Sequence, residues 1–161
     1  MAAGDRELAV ADLRNSVALM GKSWPFARPG DYARLGESLL RLDLRSESVA
    51  VLRRGLAVDL SDQAARVLLG PALCLGGDSV SAINEYEEAL NLGSTSICEF
   101  NMALAYLSLS EIDQAERIYA DAFARYGRTE AERVGAVVWL FRSIMSAFVT
   151  ARDLVTRDIE V

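Results

Sequence analysis

Two glycines and an aspartate stand directly before an amphipathic helical pattern in the stretch LGGDSVSAINEYEEALNLG, residues 75–93. A glycine-rich loop at the start of a helix can hold a phosphate, because free backbone N–H groups and the positive end of the helix dipole point at the anion. A Walker-type loop also requires GK[ST] after its glycines, and this stretch lacks it. The favoured interpretation is a turn between two helices, in which Gly76 and Gly77 end the first helix and Asp78 caps the second.

The remaining reactive side chains are few. The chain contains no histidine, which removes the commonest general base together with Ser-His-Asp, Cys-His and HExxH sites. Glu87 and Glu88, with Glu85 nearby, are favoured as a solvated helix face, because nothing around them indicates the burial that raises a carboxyl pKa. Cys74 and Cys98 lie in apolar helical patterns and are expected to be reduced structural thiols. We therefore expect no enzyme activity, no cofactor and no metal.

The composition indicates a folded, acidic protein. The chain has 161 residues, 52% of them hydrophobic, and a net charge of −6. Its mean hydropathy of +0.16 favours some apolar surface that faces a partner. Dispersed basic residues argue against a nucleic-acid partner. We see no secretory signal, and the longest nearly apolar run, 134–149, is too short to span a membrane. We therefore expect a cytoplasmic protein without membrane insertion.

A period of 33 or 34 residues organises the middle of the chain. Ala82 in SVSAINEYEEAL recurs as Ala115 in IDQAERIYADAF, and Ser48 has the same setting in the first copy. Each copy predicts two helices, and in the first a small residue is expected to let the second helix approach closely. The first-helix sets are Tyr32, Leu35, Gly36 and Leu39; Arg66, Leu69, Gly70 and Leu73; and Glu99, Met102, Ala103 and Tyr106.

This pattern resembles the tetratricopeptide repeat (TPR) family, whose signature is a 34-residue helix–turn–helix with W-x2-L-G-x2-Y and then A-x3-F. The resemblance predicts an all-α fold, an α-solenoid of three TPR helical hairpins flanked by an N-terminal helix and a long C-terminal helix. We predict one TPR domain with an N-terminal helix and linker at 1–28, repeats at 29–62, 63–95 and 96–128, and the C-terminal helix at 129–161. The first repeat departs from the signature at Ser48 and the third at Ala103.

In tetratricopeptide arrays the first helices line a concave groove that binds a peptide. Projected onto this sequence, the family geometry implies a peptide-binding groove lined by Ala33, Glu37, Leu40, Val67, Pro71, Cys74, Phe100, Leu104 and Leu107. The Lys, Asn and Arg clamp with which some members bind acidic chaperone C-termini is absent from the matching places. The implied partner is a protein or peptide client with apolar anchors, since a desolvated carboxylate there would lack a cation. Coverage of these residues by the terminal helices is the alternative.

Apolar residues outside the repeats predict further contacts. The N-terminal helix, about residues 5–21, presents a stripe of Val10, Leu13, Val17 and Met20, and the C-terminal helix has a wide apolar arc around Trp139. These residues are candidate oligomer contacts, and a homodimer is one alternative. The whole-chain layout resembles the class II chaperones of bacterial type III secretion, which implies hydrophobic translocators as clients. The second hypothesis is a TPR scaffold that self-assembles or organises a complex through its terminal helices.

Overall fold

The computed structural model of the protein describes residues 3–22, 28–93 and 96–134. These ranges contain no strand and form seven α-helices: α1 Ala3–Lys22, α2 Pro29–Arg41, α3 Arg45–Val58, α4 Gln63–Leu75, α5 Ser79–Asn91, α6 Ser96–Ser108 and α7 Ile112–Val134. Helices α2 and α3, α4 and α5, and α6 and α7 pack as hairpins, and each hairpin contacts the next. The predicted all-α solenoid of three TPR-type hairpins is confirmed. The predicted C-terminal helix lies outside the described residues from 135 onward.

Close approach of the two helices in a hairpin depends on a small residue near the middle of the first helix. A Cβ atom added to Gly36 would lie 2.5 Å from Leu52 Cγ, and one added to Gly70 would lie 2.2 Å from Tyr86 Cε1. Ala103 has this place in the third hairpin and is fully buried. The expectation that the small residue permits close packing is therefore confirmed.

The first hairpin carries a serine where the repeat signature has alanine. Ser48 is fully buried, and its hydroxyl donates a hydrogen bond of 2.7 Å to the Gly36 carbonyl oxygen. A buried hydroxyl with a partner avoids the desolvation cost of an unsatisfied polar group. Serine is therefore a tolerated small residue at this contact, and the departure from the signature leaves the hairpin intact.

The turn inside each hairpin passes through a residue with a left-handed backbone. The φ angle is 64° at Asp43, 90° at Gly77 and 63° at Ser110. In the second hairpin Asp78 then caps α5, because its Oδ1 accepts a hydrogen bond of 3.1 Å from the Ser81 backbone N–H. The Ser81 hydroxyl, followed by this backbone hydrogen bond, holds the pKa of Asp78 below its usual value. The stretch around these residues is a helix–helix turn, as the favoured interpretation of the sequence predicted.

We expect Ser110→Gly to stabilise the protein by about 0.5–1 kcal/mol. A left-handed conformation costs an L-residue roughly 1–2 kcal/mol, and the greater freedom of glycine in the unfolded chain offsets part of the gain. Gly77→Ala imposes a side chain on the same conformation and should destabilise the protein by a similar amount. Denaturant unfolding of both variants measures these effects, and equal stability in all three proteins would contradict this account of the turn.

Candidate interaction surface

The first helices of successive hairpins lie side by side, since α4 contacts both α2 and α6. Side chains at equivalent places on these helices therefore line up across the stack. We call one such set the groove row, and all of its members are apolar and half-buried: Leu40, Val67, Pro71, Cys74, Leu104 and Leu107. The groove row has members on all three hairpins, one on α2, three on α4 and two on α6.

The groove row is interrupted on α2 and bordered by polar side chains at the hairpin turns. Glu37, a predicted groove residue, has the place on α2 that Pro71 and Leu104 have on α4 and α6. It is exposed, and its Oε1 lies 3.9 Å from Arg41 Nε on the same helix. At the hairpin-turn end, Cys74 Sγ lies 3.6 Å from Ser79 Oγ, and Ser79 Oγ lies 2.5 Å from Ser108 Oγ. Beside this cluster Leu75 is 52% exposed. The apolar set is therefore interrupted on α2 by Glu37, whose charge Arg41 compensates, and is bordered at the hairpin turns by the neutral hydroxyls of Ser79 and Ser108.

Phe100 was predicted to line the groove, and this prediction was wrong. Its side chain is 1% exposed because it packs in an aromatic cluster with α7. The ring centroid lies 5.5 Å from that of Tyr119, with an edge-on angle of 60°, and 6.4 Å from that of Tyr126. Ala131 and Val134, after a break in α7, belong to the same cluster. Phe100 therefore stabilises the last hairpin from inside and presents no surface to a partner.

Ala33 was also wrongly predicted as a groove residue. It is 4% exposed and belongs to the main core cluster together with Leu69 and Leu56. The cause is the short distance between neighbouring hairpins, since α4 packs against both α2 and α3. A methyl group at this place fills the contact between hairpins and leaves none of its surface for a ligand.

The apolar stripe of α1 packs within the chain. Leu13, Val17 and Met20 are partly buried against the first hairpin, in a cluster with Tyr32, Leu35, Leu39 and Val51. Val10 is half-buried. Residues of the same chain therefore cover this stripe. This corrects the expectation that the stripe is free to form an oligomer contact. Trp139, the fifth predicted contact, lies outside the described residues.

Within the second hairpin, and again within the third, an ion pair joins the two helices. The sequence analysis did not predict either pair. Arg66 Nη1 donates to Glu85 Oε2 at 2.9 Å, and both side chains are largely buried. In the third hairpin Glu99 accepts hydrogen bonds from Arg125 and from the Tyr126 hydroxyl. Arg66 and Glu99 stand at the place that the repeat signature gives to a large aromatic residue. Charged residues at this place in two successive repeats were the sequence signal from which an ion pair inside each hairpin could have been predicted.

A further ionic contact holds the end of α7 against the start of α6. Glu130 accepts hydrogen bonds from the guanidinium of Arg133, at 2.6 and 2.7 Å, and from the Ser96 hydroxyl. These contacts lower the pKa of Glu130 from 4.5 to about 2, and the hydrogen bonds from Arg133 have the largest effect. A carboxyl with a lowered folded-state pKa stabilises the protein above its unfolded pKa, and this stabilisation is lost as the pH falls toward the folded value.

We therefore expect Glu130→Gln to flatten the loss of stability on acidification between roughly pH 5 and pH 2. Thermal unfolding of wild type and variant across this range measures the difference. Glu88→Gln, a change at an exposed carboxylate, is the matched control and should leave the pH profile unchanged. If stability depended on pH in the same way in the wild type and in Glu130→Gln, the stabilising role given to the Glu130 carboxylate would be contradicted.

No group of metal-binding side chains occurs among the residues that the structure describes. Glu87 and Glu88 are exposed, whereas Glu85 is engaged by Arg66. Within the same residues no helix combines the length and the apolar character that crossing a bilayer requires.

The fold and this surface define the class of structure, an all-α solenoid of TPR-type helical hairpins with half-buried apolar side chains on its first helices. No protein-family model and no curated protein sequence matches the chain. Among solved structures it is similar to crystal structures of MamA. One has 21% identity, a TM-score of 0.61, and coverage of 75% of this chain and 67% of that chain. Another has 17% identity, a TM-score of 0.64, and coverage of 100% and 99%. At these identities the likeness shows the fold alone.

Proposed function

We propose that this chain is a protein–protein interaction module that binds an extended apolar segment of a partner along the groove row. The supporting observation is the set of half-buried apolar side chains on the first helices of the three hairpins, α2, α4 and α6. Each aliphatic or aromatic side chain of a partner gains roughly 1.5–3 kcal/mol when it is buried on such a surface. The groove row contains no Lys or Arg that could hold a carboxylate. The module acts by binding, without catalysis.

A narrower form of this proposal gives the partner's identity. The resemblance to type III secretion chaperones implies a hydrophobic translocator, which a chaperone keeps soluble before export. A groove row made of aliphatic carbon and one thiol suits a client of that chemistry, because burial of apolar surface is favourable without directional partners.

Selection from a random peptide library on the purified protein tests the proposal. We expect peptides with aliphatic or aromatic residues at alternate positions and few acidic residues, because an extended segment presents every second side chain to the groove row. Recovery of only acidic peptides, or of no peptide above background, would overturn it.

Self-assembly through α1 is the second candidate function. Leu8 is 68% exposed and Leu19 is 57% exposed, and a spacing of eleven residues puts both on one face of the helix. This face is separate from the stripe that packs on the first hairpin. It offers apolar contact to a second copy or to another component of a complex.

We expect the double variant Leu8→Glu and Leu19→Glu to reduce the solution mass to that of a monomer if α1 joins copies of the chain. Light scattering after size-exclusion chromatography measures the mass. Leu60→Glu, at a site 72% exposed between the first two hairpins, is the control for added negative charge. An unchanged oligomeric mass in the double variant would exclude this face as the contact.

A further inference from the structure

The second helices of the first two hairpins carry opposite charges at equivalent places. Arg53 and Arg54 lie on α3, and 34 residues later Glu87 and Glu88 lie on α5. All four side chains are exposed. Both helices pack against α4, so they stand on either side of it as successive members of the solenoid. The outer surface that they form therefore changes from basic to acidic across one repeat.

These four charges are the uncompensated ones on the two helices. Every other charged side chain of α3 and α5 forms an ion pair, and these pairs are Arg45–Asp43, Glu47–Arg14 and Glu85–Arg66. Among the described residues, Arg53, Arg54, Glu87 and Glu88 belong to no ion pair. Arg53 acts on Asp78 only through space, as the smallest of the effects that lower the pKa of that carboxyl. The four charges are therefore available to a partner.

An exposed aliphatic side chain follows each charged pair one helical turn later. Val58, the last residue of α3, is 58% exposed, and Leu92, directly after α5, is 45% exposed. Residues four places apart lie on the same side of a helix, so each aliphatic side chain continues the surface that begins with Arg54 or Glu88. We call these six residues the charge-inverted patch: Arg53, Arg54, Val58, Glu87, Glu88 and Leu92.

The charge-inverted patch is complementary to itself under a two-fold rotation. An axis parallel to the helices and midway between α3 and α5 lays α3 of one copy over α5 of the other. Each arginine pair then faces the partner's glutamate pair, and each Val58 faces a Leu92. A two-fold interface requires one patch that fits its own copy. Opposite charges at places related by one repeat fulfil this requirement.

We infer that the charge-inverted patch binds a second copy of this chain about such an axis. The occupant is a second copy because this orientation places an opposite charge over each of the four charges. A partner surface of one sign would instead bring like charges together over half of the patch. Exposed ion pairs are weak and screened by salt, so the dimer is reversible. Its contact is separate from the groove row and from α1, and it does not rest on the proposed peptide binding.

Sedimentation equilibrium of the full chain tests the inference. We expect a dimer at about 100 μM protein in low salt, with an affinity that falls at least tenfold when NaCl rises from about 20 mM to about 500 mM. Arg53→Glu with Arg54→Glu, and separately Glu87→Arg with Glu88→Arg, should each give a monomer. A mixture of these two variants should dimerise again, because one is then acidic and the other basic at all four places.

A matched control separates pairing across the patch from a change in net charge. Arg34→Glu with Arg41→Glu adds the same charge at exposed sites on α2 and should leave the dimer in place. Arginine and glutamate have similar helix propensities, so each variant is expected to fold, and circular dichroism checks this. The double variant Leu8→Glu and Leu19→Glu should also remain a dimer, which distinguishes this contact from one through α1.

Three results would overturn the inference. A wild type that is monomeric at about 100 μM in low salt would exclude the dimer. Reversal variants that each dimerise as the wild type does would place the contact elsewhere on the molecule. A mixture of the two reversal variants that stays monomeric would exclude pairing of the arginine pair with the glutamate pair.

Discussion

Gly70→Ala is expected to lower the free energy of unfolding by about 3 kcal/mol, the upper range for overpacking of a well-packed core. The added methyl group would lie 2.2 Å from Tyr86 Cε1 and 2.4 Å from its Cζ. The Tyr86 ring is 1% exposed and packed on all sides, so it has no space into which to move. Relief of the clash requires α4 and α5 to separate, which disturbs the main core cluster.

Denaturant unfolding measures this effect, and Gly30→Ala is the matched control. Nothing lies within 4 Å of a Cβ atom on Gly30, so the same chemical change there should be neutral or slightly stabilising through helix propensity. Combining Gly70→Ala with Tyr86→Leu should restore part of the lost stability, because the two sites share one contact. Equal effects of the two glycine substitutions would contradict the close-packing account of the hairpin.

Leu104→Glu is expected to weaken binding of a selected apolar peptide by about 30-fold or more, which corresponds to roughly 2 kcal/mol. The new carboxylate would be desolvated under the peptide without a cation to pair with. Leu104 is half-buried in the middle of the groove row on α6. Leucine and glutamate have similar helix propensities, so the helix itself is expected to persist.

Fluorescence polarisation with a labelled peptide measures the affinity, and circular dichroism checks the fold. Leu60→Glu makes the same change at a site that is 72% exposed and outside the groove row, and it should bind like wild type. Leu104→Ala removes apolar contact without adding charge and should weaken binding about tenfold. Full affinity in both Leu104 variants would show that the peptide binds elsewhere.

The sequence was sufficient to predict the hairpins because their steric requirement recurs. A residue with a small side chain must stand where two helices cross, and Gly36, Gly70 and Ala103 fulfil this requirement at a constant spacing. The turn residues were similarly readable, since Gly77 and Asp78 have the backbone freedom and the capping oxygen that the turn requires. Because these requirements are local and recur in each hairpin, they appear in the sequence as a periodic pattern.

The surface was less predictable because exposure depends on what packs next to a helix. Phe100 occupies a groove place in the repeat, yet the chain beyond Gly127 contributes to the cluster that buries it. The stripe on α1 was apparent from sequence, but periodicity alone does not say whether a neighbour in the chain or a second copy covers it. The pairing of Arg66 with Glu85 depends on the distance between two helices, which the signature does not encode.

The rate of alkylation of Cys74 by iodoacetamide, with and without a selected peptide, tests the central claim most directly. Cys74 is a half-buried thiol within the groove row, and the fully buried Cys98 reports any opening of the core in the same sample. We predict that saturating peptide slows alkylation of Cys74 at least tenfold. A peptide that binds and leaves the Cys74 rate unchanged would contradict the groove row as the binding surface.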